Sequence, residues 1–218
     1  TPVFADIEKQ TFNIDPKSIV NAITEKTTGI LATHCFGNPC KIDEIAKIAA
    51  DHGLKVIYDA SHCFGTTYKG HPIFNFGDIS TLSLHATKLV SSVEGGALFS
   101  NSRELQQKIM FLRNFGHDGQ YDFKGIGING KQSEFHAAFG LTTLKYASQI
   151  LEKRRSDYEF YRKSFEGILR VDFQQINPLG ESNYSYFPIL LESEKKVVEV
   201  MGTLKASNII TRRYFFPL

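Results

Sequence analysis

The segment Val56-Ile57-Tyr58-Asp59-Ala60-Ser61-His62 is an apolar run that ends in a carboxylate, with an imidazole three residues further on. In parallel sheets, ligands bind beyond the carboxyl ends of the strands, so Asp59 stands where sites are built. The bland alternative is an aspartate that caps the next turn. Further along, Ser83-Leu84-His85-Ala86-Thr87-Lys88 places a lysine after a second apolar run, and Glu94-Gly95-Gly96 follows closely. A lysine in that position is usually a solvated charge. With glycines nearby that let a bulky ligand approach the backbone, it can instead form a Schiff base if desolvation or nearby positive charge lowers its pKa.

Other chemistries fit less well. Asp59, Ser61 and His62 are such near neighbours that they cannot easily line up as a hydrolase relay, and the Gly-x-Ser-x-Gly elbow is absent. Gly125-Ile126-Gly127-Ile128-Asn129-Gly130 satisfies a dinucleotide-binding pattern, but Asp122-Phe123-Lys124 before it is no strand, and that fingerprint requires strand, turn and helix in order. His34, Cys35 and Cys40 lack a second ligand pair at finger-like spacing, so no metal is expected. Three cysteines make a poor disulfide framework and favour a reducing cytoplasm. The 25 Lys and Arg against 23 Asp and Glu leave +2, scattered rather than massed, which argues against a nucleic-acid partner. Apolar runs such as 187–191 fall far short of the ~20 residues of a membrane span, and no secretory signal opens the chain.

These residues need elements to position them. With 42% hydrophobic and 22% charged residues, the 218-residue chain can bury one main core plus an appendage. Short strands at 3–6, 29–33, 55–58, 79–84 and 97–100 alternate with helices, the pattern of an α/β fold with a mostly parallel sheet flanked by helices. Asp15-Pro16 opens the first helix, Asp43 caps the second, and Gly53 ends it. A helix over 103–113 leads into a glycine-rich loop at 116–130. Ser133 then caps a helix running to about 165, whose Phe135, Ala138, Leu141, Leu144 and Ala147 mark a buried face. Strand, strand at 186–190, helix and strand at 209–214 complete a smaller α+β unit. The expected division is a large domain over 1–166 and a small C-terminal domain over 167–218.

Several motifs in one order carry a resemblance. They are Pro2-Val3-Phe4-Ala5-Asp6, Thr33-His34-Cys35-Phe36-Gly37-Asn38-Pro39, Tyr58-Asp59-Ala60-Ser61-His62-Cys63-Phe64-Gly65 and Gly77-Asp78. Then follow Ser83-Leu84-His85-Ala86-Thr87-Lys88, Glu94-Gly95-Gly96, Arg113-Asn114-Phe115-Gly116, Gly127-Ile128-Asn129-Gly130-Lys131-Gln132-Ser133-Glu134, Ala137-Ala138 and Arg212-Arg213-Tyr214. The chain resembles the DegT/StrS-type nucleotide-sugar aminotransferases, which have the aspartate-aminotransferase fold and use pyridoxal 5'-phosphate. The family is longer at both ends and continues past Phe216-Pro217-Leu218, so the resemblance implies a chain truncated at both ends.

The resemblance also implies roles. Lys88 would form the Schiff base and then shuttle the proton, and Asp59 would keep the pyridine nitrogen protonated. His62 would contact the cofactor ring, Ser83 its phosphate, and Asn129 the phosphate in a neighbouring subunit, which implies a homodimer. On the substrate side the candidates are His85, Arg212 and Arg213, the two arginines being suited to a nucleotide diphosphate or a donor carboxylate. The implied reaction moves an amino group from glutamate to a nucleotide-diphosphate keto-sugar. The segments around Phe36, Lys88 and Asn129 are most similar to the branch acting at sugar C4 of dTDP-4-keto-6-deoxy-D-glucose, in surface-polysaccharide biosynthesis. The rivals are a related 3-dehydratase, which has histidine in place of the lysine, and a non-catalytic nucleotide-sugar-binding relative.

Overall fold

Asp15 accepts a hydrogen bond from the Lys17 backbone N–H at 3.0 Å and Pro16 follows with its φ already set, so helix α1 (Pro16–Ala22) starts where the sequence places it. The computed structural model describes residues 1–168, 170–214 and 216. Helix α2 (Ile42–His52) corrects one expectation: Lys41 is its N-cap residue, and Asp43 lies inside the first turn. There the Asp43 carboxylate favours the positive helix end and accepts hydrogen bonds from Tyr68 at 3.1 Å and Lys69 at 2.5 Å. Gly53, at φ 65°, closes α2 with its N–H directed back to Ala49 and Ala50.

Strands β1 (Gly29–Thr33) and β2 (Lys55–Asp59) pair in parallel, with Ile30 opposite Val56 and Thr33 opposite Asp59. Two antiparallel dipeptide strands, β3 (Thr67–Tyr68) and β4 (His71–Pro72), intervene before β5 (Ile79–Ser83) returns to the main sheet. β5 pairs parallel to β2, and β6 (Gly96–Phe99) closes that sheet antiparallel, in the order β1-β2-β5-β6. Alternation sends Ile30, Ala32, Val56, Tyr58 and Leu82 to one face, where all are buried; Ile45 and Ala49 of α2 belong to the same core. The other face carries Leu31 and Leu98, which are 68% and 51% exposed. Residues 3–6 form no strand; only an isolated bridge joins Ile7 to Ile14.

Ser102 caps α3 (Arg103–Leu112) and Ser133 caps α4 (Glu134–Leu144). The single helix expected to reach about 165 is broken. Lys145 and Tyr146 bond back three residues, to Thr142 and Thr143, and α5 (Ala147–Ser164) begins after them. The expected buried stripe is also corrected: Phe135 is 89% and Leu141 65% exposed. Helix α4 instead meets the rest of the chain through small residues. Gly140 packs over Ser92, and the Thr143 hydroxyl donates to the Ser91 carbonyl at 2.6 Å.

In the last third, β7 (Val171–Phe173) pairs antiparallel with β9 (Ile189–Leu191), followed by α6 (Glu194–Ala206). The strand expected at 209–214 does not form. Asn208, at φ 60°, turns the chain at the end of α6, and among the described residues that follow none joins a sheet. Pro217 and Leu218 of the expected aromatic-proline-leucine segment lie outside the described residues. Between β7 and β9, β8 (Gly180–Glu181) adds to β3.

Side-chain amides sew this late segment onto the strand-end loops. Buried Asn38 donates to the Gln175 carbonyl at 2.9 Å and accepts from the Asn177 N–H at 2.9 Å. Gln174 donates to Thr11 and Cys35 carbonyls, and Asn177 to those of Pro39 and Cys40. Buried loop carbonyls thereby find the partners that burial demands.

Candidate active site

Asp59 ends β2 at the carboxyl edge of the sheet, and Ser83 ends β5 beside it. Asp59 Oδ1 accepts from the Ser61 N–H at 3.0 Å, the Ser61 hydroxyl at 2.5 Å and Thr81 at 3.4 Å. Oδ2 has no hydrogen-bond donor among the described residues. Lys88 follows a tight turn in which its N–H donates to the His85 carbonyl at 2.9 Å, while the Ser83 hydroxyl accepts from the His85 N–H. His62, Ser83 and Lys88 all line one solvent-open cleft of about 400 Å³.

The far wall of the cleft comes from Arg154 of α5 and from Ser185 and Tyr186. Asn183 joins the two walls. Its Nδ2 donates to the carbonyls of His62 and Phe64 at 2.7 and 2.8 Å, and its Oδ1 accepts from the Ser185 hydroxyl at 2.7 Å. Gly37, at φ 82°, lets the turn after β1 pass under the same loop, since a Cβ there would stand 2.8 Å from the His62 carbonyl oxygen. The His62 and Tyr186 rings then meet at 4.6 Å, with Phe36 5.2 Å from Tyr186.

Charge in the cleft is tuned by burial. Desolvation holds the Lys88 ammonium below its ordinary value; Asp59 pulls it back up, and Arg212 depresses it further. Burial pushes His62 down to about 4, with Lys88 adding to the effect and Asp59 opposing it. His62 Nδ1 is buried without a hydrogen-bond partner among the described residues. Behind Asp59, His34 is fully buried and pushed down to about 3, again by desolvation with Asp59 opposing. Tyr186 is raised to about 12 by burial and by Tyr214, against Arg212 and Arg154.

The structure thus brings together Asp59, His62, Ser83 and Lys88, with Arg212 within electrostatic reach. It leaves three other sequence candidates outside this cleft. Arg213 pairs with Glu194 at 3.0 Å and lies over the Phe216 ring. His85 contacts Thr87 at 2.9 Å and Glu94 at 3.5 Å. Asn129 is exposed on the glycine-rich loop, bridged to Asn114. Sequence reasoning missed Arg154, Tyr186 and Asn183. The signal for Arg154 was present, because it is a basic residue with no acid four residues away on either side. Asn183 and Tyr186 sit in a loop whose local sequence says nothing of its distant partner.

A mostly parallel sheet sets a desolvated lysine within electrostatic reach of a strand-end aspartate, and the fold is that of solved sugar aminotransferases. The crystal structure of DesI in the presence of its TDP-sugar product superposes with a TM-score of 0.91 at 35% identity, covering all of this chain and 56% of DesI. The chain belongs to the DegT/DnrJ/EryC1/StrS aminotransferase family, whose profile matches residues 1–218. It is 45% identical over 221 residues to the dTDP-4-amino-4,6-dideoxy-D-glucose transaminase of Shigella dysenteriae and 41% identical over 224 residues to that of Escherichia coli. In both matches all of this chain is covered, and it spans about 60% of the relative's length. Among the described residues no helix is long and apolar enough to cross a membrane.

Proposed function

We propose that the protein is a pyridoxal 5'-phosphate-dependent aminotransferase that moves an amino group from glutamate to dTDP-4-keto-6-deoxy-D-glucose at C4, in surface-polysaccharide biosynthesis. The observation that carries this reading is the partly buried Lys88, its ammonium destabilised by desolvation, lining a cleft with His62 and Ser83 and lying within electrostatic reach of Asp59. The names of the two transaminase relatives support the sugar. The lysine itself favours amination over the dehydratase alternative. Free thiols at Cys35, Cys40 and Cys63 support a cytoplasmic setting.

The donor set fits the cofactor. Lys88 would anchor it, Asp59 Oδ2 has room to accept from its ring nitrogen, the Ser83 hydroxyl suits its phosphate, and the partnerless His62 Nδ1 suits a ring substituent. When bound, pyridoxal phosphate supplies an electron sink for a broken carbon–hydrogen bond. The chain supplies the rest. Lys88 Nζ, kept basic enough by Asp59 yet biased towards the neutral amine by burial, takes the proton from the reacting carbon and returns it. The Asp59 carboxylate, partly buried at the strand end, would hold the proton on the ring nitrogen. His62 stays neutral at physiological pH and so adds no competing positive charge.

We further infer a homodimer. Its support is the apolar surface of α4 and the glycine-rich loop, where Phe135 and Ile126 are 89% and 95% exposed. Asn129 lies on the same surface and would reach the phosphate bound by the partner subunit. The test is incubation with pyridoxal phosphate, borohydride reduction and peptide mapping. Stoichiometric label on Lys88, lost in Lys88→Ala, is expected; no label at Lys88 overturns the reading. Asp59→Asn should retain the label and slow turnover by about a hundredfold or more.

A further inference from the structure

Three consecutive basic residues on α5 have different fates. Lys153 is ion-paired with Asp157, and Arg155 with Glu159 at 2.9 Å, each one helical turn away. Arg154 lies between them and is the one that lines the Lys88 cleft. Its neighbours four residues away are Ile150 and Tyr158, and Asp157, three residues on, is engaged by Lys153. Among the described residues Arg154 has no ion-pair partner.

The cleft therefore holds more positive charge than its own residues neutralise. Lys88, Arg154 and Arg212 act on it, and the acid acting on Lys88 and His62 is Asp59. That carboxylate is already held by Ser61 and Thr81 on one oxygen, leaving the other for a ring nitrogen. A guanidinium is a planar fork of donors matched to a carboxylate, and Arg154, exposed overall, presents that fork on the lining of the cleft.

We propose that Arg154 is the seat of the amino donor's carboxylate. The inference rests on the aminotransferase reading and deepens it. In an amino acid the carboxylate is attached to the carbon that reacts, so it must lie beside Lys88, within the same cleft. The diphosphate of a nucleotide sugar is separated from sugar C4 by the width of the pyranose ring and falls further out. Tyr186, which packs on the His62 ring and feels the charge of Arg154, forms the wall between the guanidinium and the ring-contact side of the cleft.

The test uses cofactor-loaded protein and glutarate, which carries two carboxylates and no reacting amine, with binding measured by calorimetry. Arg154→Gln should weaken glutarate binding roughly tenfold to a hundredfold, as expected for the loss of a charge-assisted hydrogen bond. Arg154→Lys should restore part of that loss, and dTDP binding should change less than about twofold. In turnover, KM for glutamate should rise with little change in KM for the nucleotide sugar. Unchanged glutarate affinity overturns the proposal, and so does an equal or larger loss of dTDP affinity, which would assign Arg154 to the diphosphate. A wild-type protein that takes no label at Lys88 overturns the aminotransferase reading and the donor seat with it. Normal labelling with unchanged glutarate binding in Arg154→Gln removes the seat alone.

Discussion

The sheet unit around α2 and the segment over 110–146 treat apolar side chains in opposite ways. In the first, Ile45, Ile73 and Cys63 are 0% exposed, and the alternating residues of β1 and β2 meet a cover that the same chain provides. In the second, Ile126, Phe135 and Ile128 are 95%, 89% and 70% exposed. Periodicity marks a face as apolar; it does not say whether the chain itself covers that face. The candidate cleft lies at the carboxyl edge of the covered unit, where Asp59 and Ser83 end neighbouring strands of the packed sheet. The exposed segment carries Asn129, whose expected role needs a second subunit.

The contrast can be broken or sharpened by measurement. Ile45→Ala should cost about 3 kcal/mol in urea denaturation, the scale of a fully buried aliphatic truncation. Ile126→Ala should cost far less, and equal costs would end the distinction. Acid should loosen the covered unit in particular. His34 and His62 are held neutral, near 3 and 4 against an ordinary 6.5, so below pH 6.5 the unfolded chain takes up protons that the folded chain refuses. Stability should then fall as pH drops towards those values, by about 1.4 kcal/mol per pH unit for fully buried His34 and less for partly open His62. His34→Gln should flatten that slope in denaturation curves taken at a series of pH values.

On the exposed segment, Phe135→Ser should leave the folding stability of the isolated subunit within about 0.5 kcal/mol and weaken self-association roughly tenfold in sedimentation equilibrium. A wild-type protein that sediments as a monomer at all concentrations would remove the partner from the comparison. The smallest effect is expected at Lys47→Ala. It removes a solvent-exposed pair with Asp51, and chemical denaturation should register less than about 0.5 kcal/mol.

Much of this was legible beforehand. The caps at Asp15 and Ser133, the glycine stop at Gly53 and the parallel pairing of β1, β2 and β5 all follow from local chemistry and alternation. Asp59, His62, Ser83 and Lys88 were picked out by their positions after strands and by the order of motifs around them. The failures share a cause. The break at Lys145, the outward turn of Phe135 and the missing strand at 209–214 depend on what packs against each segment, which local pattern does not record.

The amino-acid sequence by itself determined which side chains could do chemistry and which strands deliver them, because strand period, capping and residue type are local properties. Only the tertiary structure decided the electrostatic state of those side chains and the far wall of their cleft. Burial lowers the proton affinity of Lys88 and His62, and Asn183 bonds to carbonyls 121 and 119 residues away in sequence. Arg154 enters the site through the long-range packing of α5 against the strand-end loops. Desolvation and long-range hydrogen bonding exist only once the chain has closed on itself.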